Sequence, residues 1–324
     1  MTGDASSAGS WVALCGGVGG AKLALGLSRV LPPEKLTIVV NTGDDFEHLG
    51  LHVSPDIDTV LYTLAGLSNT ELGWGLAGET WGFMEAIGRL GGPTWFRLGD
   101  HDLATHVTRT GLLAEGRPLS AVTEHLRSKL GIGPAIVPMS DDAVRTVVET
   151  DEGPLAFQTY FVARQCKPRV ARIRFEGAAV AKPAPAALAA LARPDLAGII
   201  VCPSNPWLSV DPMLAIPGWR AALKAVAAPC VAVTPLVAGQ AIKGPTAKIM
   251  GELGLDLDVA SIVTHYRGLI DGFVLDRADA DKAAALGLPV ATAQTIMRTL
   301  ADRDGLARET IAFCRRLAGR KLRS

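Results

Sequence analysis

The stretch Trp11-Val-Ala-Leu-Cys-Gly-Gly-Val-Gly-Gly-Ala-Lys-Leu-Ala-Leu-Gly-Leu-Ser-Arg-Val30 decides the fold class. Its first five residues are apolar, the next five (Gly16-Gly17-Val18-Gly19-Gly20) form a glycine loop, and from Ala21 to Val30 apolar residues recur at helical spacing. That order predicts strand, turn and helix. A second apolar run, Leu36–Val40, ends in Asn41-Thr42-Gly43-Asp44-Asp45 and completes a βαβ unit whose strands open into polar loops. Strands that are apolar throughout belong to a parallel sheet covered on both faces.

The same grammar continues outward. From Val60 to Lys129 the pattern is mostly helical, with Trp74, Trp81, Phe83, Trp95 and Phe96 crowded together, which predicts a helical insertion at about 60–130 beside the sheet. Extended stretches are expected at 146–150, 155–162 and 169–175, and a covering helix at Ala186–Leu191. Buried strands are expected at Ala197–Cys202, Cys230–Thr234, Gly272–Leu275 and Val290–Thr292, with a helix at Ala221–Ala227 and an amphipathic helix from Ile296 to Leu317. Together these predict one doubly wound α/β domain over 11–295, with the segment 296–324 supplying a helix that packs on it.

Composition narrows the function. The chain has 324 residues, with 32 Lys plus Arg against 32 Asp plus Glu, so no global field attracts a nucleic acid or an acidic membrane, and a small substrate is expected. The 5 cysteines (Cys15, Cys166, Cys202, Cys230, Cys314) show neither CxxC nor CxxH spacing, which argues against a zinc site or a disulfide framework and for a reducing, cytoplasmic setting. The opening Met1–Ser10 has no basic-then-apolar pattern, so no signal or transit segment is expected. Apolar runs are far shorter than the roughly 20 residues that span a bilayer.

In a doubly wound sheet ligands bind beyond the carboxyl ends of the strands. The loop of Gly16, Gly17, Gly19 and Gly20 allows backbone N–H groups to approach a phosphate, although it matches neither GxGxxG nor the P-loop, since Lys22 follows the wrong glycine spacing; a turn that merely fits strand to helix is as good a reading. Asp44 and Asp45 suit a hard cation such as Mg²⁺ shared with substrate phosphates, or a solvated turn. Asp58 stands just before a helix expected near Thr59, as a cap or a ligand contact. Arg97 and Arg109 could clamp phosphates, with Asp100, His101, Asp102 and His106 nearby; a surface ion-pair cluster is the blander reading. Ser140-Asp141-Asp142 is another polar loop. Pro203-Ser204-Asn205-Pro206 holds an amide between two prolines, suited to reading a base or sugar or simply to ending a strand. Gln240–Thr246 offers a further anion contact or an ordinary turn. His48 and His52 lack HExxH context, and no nucleophile elbow is present.

As a set, GGVGGAK (Gly16–Lys22), VVNTGDD (Val39–Asp45), SPDIDTVLYTL (Ser54–Leu64), GWGLAGETW (Gly73–Trp81), RLGDHDLATH (Arg97–His106), PMSDD (Pro138–Asp142), PSNPWLSVDPMLAIPG (Pro203–Gly218) and the stretch Pro235–Lys248 resemble the 2-phospho-L-lactate transferase family of coenzyme F-420 biosynthesis, in family order over about residues 11–280. His101 stands where that family commonly shows Arg. The resemblance implies a Rossmann-like, three-layer fold, a homodimer, and a magnesium-dependent transfer of a phosphorylated three-carbon acid (2-phospholactate, phosphoenolpyruvate or 3-phosphoglycerate). The donor would be the guanosine diphosphate conjugate, the acceptor 7,8-didemethyl-8-hydroxy-5-deazariboflavin, and the by-product GMP. It further implies Mg²⁺ on Asp44 with Asp45, phosphate on Gly16–Gly20, guanosine on Ser204 and Asn205, and the deazaflavin on Asp58, Arg97 and Asp100, with Asp58 orienting or deprotonating the attacking hydroxyl. Competing expectations are an NAD- or nucleotide-sugar-dependent enzyme, weakened because no acidic residue is cleanly placed to hold a ribose, and a non-catalytic nucleotide- or flavin-binding regulator.

Overall fold

The glycine-punctuated opening folds as its pattern predicts: β1 (Ser10–Cys15) passes through Gly16 into α1 (Gly17–Val30) and back to β2 (Leu36–Val40), which pairs parallel to β1. The computed structural model describes residues 9–71, 73–241 and 246–321; residues 1–8, where the absence of a leader was expected, and 242–245 of the Gln240–Thr246 anion contact lie outside the described residues. A hairpin of β3 (Phe46–His48) and β4 (Leu51–Val53) precedes α2 (Pro55–Leu64), α3 (Gly82–Arg89), α4 (Asp102–Ala114) and α5 (Leu119–Lys129). The chain then returns to the sheet as β5 (Ala135–Pro138), parallel to β2. β6 (Arg145–Thr150), β7 (Gly153–Ala156) and β8 (Val170–Glu176) form a separate antiparallel sheet, ordered β7-β6-β8.

After α6 (Pro185–Leu191), β9 (Leu196–Val201) pairs with the other edge of β1. α7 (Asp211–Leu214), α8 (Trp219–Ala225), β10 (Cys230–Val233), the short hairpin of β11 (Leu236–Val237) and β12 (Gln240–Ala241), α9 (Thr246–Glu252), α10 (Val259–His265), β13 (Gly272–Asp276), β14 (Val290–Ala293) and α11 (Leu300–Lys321) follow. The main sheet has seven strands in the order β14-β13-β10-β9-β1-β2-β5, all parallel. Alternation along each strand splits the core in two. Trp11, Ala13 and Cys15 meet α1, α2, α5 and α11 on one face, while Val12 and Leu14 meet α6, α8 and α10 on the other. α11 approaches α1 so closely that a Cβ on Gly26 would stand 2.2 Å from the Arg303 carbonyl oxygen. This is the expected doubly wound α/β architecture, and among the described residues no helix is long and apolar enough to cross a membrane.

Three boundaries differ from the expected ones, each for a local reason. α2 begins at Pro55 rather than near Thr59, because Ser54-Pro55 supplies a cap position followed by the proline favoured at a first helical position. The expected strand at 155–162 stops at Ala156; Thr159–Ala163 forms a π-turn that stacks Phe161 on Phe157, ring centroids 5.4 Å apart. α11 starts at Leu300, not Ile296, because the Asp302 carboxylate accepts from the N–H groups of Arg298 and Thr299 while Thr299 Oγ1 accepts from Asp302 N–H.

Candidate active site

β1 and β9 are neighbours in the sheet, yet the chain leaves them toward opposite edges, so the crevice between their carboxyl ends is the topological switch point. A cavity of about 580 Å³ opens there. Its floor is made by two loops fastened together: Gly16 N–H donates to Ser204 Oγ (3.0 Å), and the same hydroxyl donates to the Gly16 carbonyl (2.8 Å). Gly17 has φ +63, a conformation that side chains resist, and a Cβ on Gly19 would stand 2.4 Å from the Pro203 carbonyl oxygen. Gly16, Gly17 and Gly19 line the cavity, whereas Gly20 sits behind them against Ser204 and Cys15. The first N–H groups of a helix have no partner inside it, and at the start of α1 those of Val18 and Gly19 lie beside the cavity at the positive end of the helix dipole.

Four carboxylates gather near this corner, and the structure sorts them. Asp44 lines the cavity, and its Oδ1 is buried without a hydrogen-bond partner. Burial, then the negative charges of Asp56 and Asp45, push its carboxyl well above the ordinary range, against the pull of Asn41 and Thr146. Asp56, in the first turn of α2, also lines the cavity; Oδ1 accepts from Gly17 N–H (2.8 Å) and Oδ2 from Asn41 Nδ2 (2.9 Å). Desolvation raises it to about 6 despite those two hydrogen bonds. Asp45, expected to help hold a cation, does not line the cavity: Oδ2 accepts from Ser54 Oγ (2.8 Å) and faces His52 Nε2 at 3.2 Å.

Asp58, expected at the acceptor and in catalysis, is also turned away. Both its oxygens are bound by the fully buried Arg109, which also donates to the His52 carbonyl (3.4 Å) and lies 3.2 Å from His106 Nδ1. His106 Nε2 faces Asp102 Oδ2 at 3.1 Å, and Asp102 in turn accepts from the Tyr62 hydroxyl. A carboxylate held at both oxygens by a buried guanidinium cannot hold substrate without breaking that pair. The network therefore locks α2 to α4, and the carboxylate of this segment that reaches the cavity is Asp56, missed because the helix was expected to begin after it. Ser-Pro-Asp was the signal that could have found it.

Aromatic side chains form the walls: Trp74, Trp95, Phe96, Phe157 and Phe161 line the cavity, with Arg97 stacked 3.9 Å over Trp81. Asp100 lies behind this wall, capping α3 by accepting from Thr80 Oγ1 (2.6 Å) and from the N–H groups of Gly82 and Phe83 (3.0 Å each). Ser204 and Asn205 line the cavity as expected positions, but the Asn205 amide is engaged within the chain: Oδ1 accepts from Trp207 and Leu208 N–H, and Nδ2 donates to Thr246 Oγ1 at 2.9 Å. At the carboxyl end of β2, where a dinucleotide enzyme places an acidic residue for the ribose, stands Asn41, bonded to Asp56 and to Gly43 N–H.

Among the described residues no group of three or more His, Cys, Asp and Glu side chains is gathered for a metal ion. Two desolvated carboxylates facing one cavity, one with an orphaned buried oxygen, nevertheless fit a hard cation whose remaining ligands are water and substrate phosphate. The arrangement sets helix N–H groups and two carboxylates against a cavity walled by aromatic side chains.

Residues 11–311 match the family described as 2-phospho-L-lactate transferase CofD. A phosphoenolpyruvate transferase of Streptomyces griseus is 40% identical over 309 residues, covering 93% of this chain and 96% of that one. A 2-phospho-L-lactate transferase of Methanopyrus kandleri is 40% identical over 310 residues, covering 94% and 98%. The fold is shared with a UPF0052 family protein of Bacillus halodurans, at a TM-score of 0.59 and 16% identity over 92% of this chain and 98% of that one. With its motifs in order along a sheet of the matching class, the chain belongs to the 2-phospho-L-lactate transferase CofD family.

Proposed function

We propose that this transferase moves a phosphorylated three-carbon acid from its guanosine diphosphate conjugate to the ribityl hydroxyl of 7,8-didemethyl-8-hydroxy-5-deazariboflavin, releasing GMP. The observation that carries this reading is the pair Asp44 and Asp56, two desolvated carboxylates lining one cavity beside the positive end of α1. Bound there, Mg²⁺ would neutralise charge on the diphosphate as the anhydride breaks. Asp44 and Asp56 would hold the ion, replacing Asp45 in the expected pair. The N–H groups at Val18 and Gly19 orient the phosphate and cost no reorganisation, because the two-way Ser204 hydrogen bonds fix the loop.

Arg97 presents a delocalised cation at the aromatic wall, where Trp81 limits its motion and a flat acceptor ring can stack. Attack of the acceptor hydroxyl on the acid's phosphorus forms one P–O bond as the bond to GMP breaks, and the hydroxyl's proton passes to solvent or to the departing GMP phosphate. The chain's contribution is to bring the two substrates together from opposite sides of the floor and to exclude water between them. Relatives named for phosphoenolpyruvate and for 2-phospho-L-lactate match this chain equally well, which supports an unsaturated or saturated three-carbon acid on the same scaffold. The test is mass spectrometry of the product after supplying the deazariboflavin with each guanylated donor in turn. The expected result is the acceptor joined to the phospho-acid as a phosphodiester, one water lighter than the two together, with equimolar GMP; no GMP from any donor overturns the reading in favour of a binding protein.

A further inference from the structure

A second chamber of about 230 Å³ opens beside the main cavity, sharing Val18, Lys22, Thr59, Gly73 and Trp74 with it. Lys22, Arg298 and Arg303 face it together with a row of hydroxyls, and among the described residues no Asp or Glu does. Lys22 Nζ is anchored at the seam between the chambers by the Met297 carbonyl at 3.2 Å. Arg303 Nε is buried and has no hydrogen-bond partner. A desolvated donor without an acceptor is unfavourable, and an oxyanion in the chamber would supply the acceptor. Desolvation also lowers the Arg303 pKa, which a bound anion would reverse.

The position fixes what kind of anion belongs there. Val18 stands at the end of α1 assigned above to the phosphate, and Lys22 is one turn further along, about 6 Å. A carboxylate borne on the carbon next to a phosphate ester reaches over that span. With a water occupying roughly 30 Å³ of liquid, the chamber has room for a small oxyanion and its remaining hydration. We propose that this chamber is the subsite for the carboxylate of the transferred acid, so that Lys22, Arg298 and Arg303 select a donor with a second negative group beside its phosphate. The proposal rests on the donor chemistry of the proposed function.

The test compares the guanylated three-carbon donor with an analogue whose carboxylate is replaced by methyl, in the unaltered protein and in Arg303→Leu and Arg298→Gln. Donor binding is followed without acceptor by intrinsic fluorescence, to which Trp74 on the seam contributes; product is followed with acceptor by mass spectrometry. The unaltered protein should bind the carboxylated donor about ten- to a hundredfold more tightly, as a charge-assisted pair implies, and in either variant that ratio should fall toward one. An unchanged ratio overturns the proposal. So does equal weakening of both donors, which a packing defect between α1 and α11 would give. Inorganic phosphate that binds the unaltered protein, is lost in Arg303→Leu and does not compete with donor would mean that the chamber takes a free anion, against the proposal. Carboxylate preference in binding without transfer to the deazariboflavin supports the subsite and discards the reaction; transfer without preference discards the subsite alone.

Discussion

Asp56 offers a test of the candidate cation site that needs no substrate. Moving a buried carboxyl from its ordinary 3.8 to about 6 corresponds, at about 1.4 kcal/mol per pH unit, to roughly 3 kcal/mol. The folded state holds the proton more tightly than the unfolded chain does, so folding stability should decline as pH rises from about 4 to about 6, and stay lower above it. Asp44 is raised as well and adds to the same slope. A divalent cation between the two carboxylates relieves that penalty only where they are ionised. Magnesium at millimolar concentration should therefore raise Tm at pH 8 by up to about 5 °C and leave it unchanged at pH 4.5. Asp56→Asn, neutral throughout, should remove the Asp56 share of the pH slope, leaving that of Asp44, and lose most of the magnesium response. Thermal unfolding by circular dichroism over pH 4.5–8, with and without magnesium, measures all of this. Equal stabilisation at both ends of the range, or an undiminished response in Asp56→Asn, would refute the reasoning.

Three other outcomes are expected. Asp44→Ala removes the cavity carboxylate with the orphaned oxygen and should cut GMP release by about a thousandfold while far-UV dichroism is retained; normal turnover with a normal magnesium requirement would exclude its role. Arg109→Met leaves Asp58 buried and unpaired, so urea unfolding should show a loss of about 3–5 kcal/mol, and a loss below about 1 kcal/mol would mean that the pair does not lock α2 to α4. Gly19→Ala places a methyl 2.4 Å from the Pro203 carbonyl oxygen, which is backbone and cannot swing aside; it should weaken donor binding at least tenfold, measured by titration, whereas Gly251→Ala, with open space around it, should not.

The sheet was legible because each buried strand is a continuous apolar run closed by a polar or glycine loop, a pattern that has few other solutions. Asp44 was legible for the same reason, since a strand end fixes where its loop lies. Asp56 and Asp58 were harder. They are two residues apart on one helix, about 200° around it, so only one can face the crevice, and the choice turns on where the helix starts. Asp100 and Asn205 sit in motifs that carry the family resemblance, yet their polar atoms cap local turns, a duty that residue type alone does not distinguish from ligand binding. Arg109 reads from the sequence as a phosphate clamp or a member of a surface ion-pair cluster, and only the packing of α4 against β4 and α5, with Asp58 reaching it from α2, buries it. The side chamber joins residues 18–75 with 298–303, a juxtaposition that requires α11 to fold back on α1.

The Ser204 hydroxyl, accepting from Gly16 N–H and donating to the Gly16 carbonyl, ties the loops that follow β1 and β9 to each other at the floor of the cavity. At the rim, by contrast, Trp74, Trp95 and Phe161 remain 46%, 36% and 39% exposed. Charged groups would meet a rigid template, whereas a flat ring would meet surfaces able to close over it, so tolerance for altered acceptors should exceed tolerance for altered phosphates.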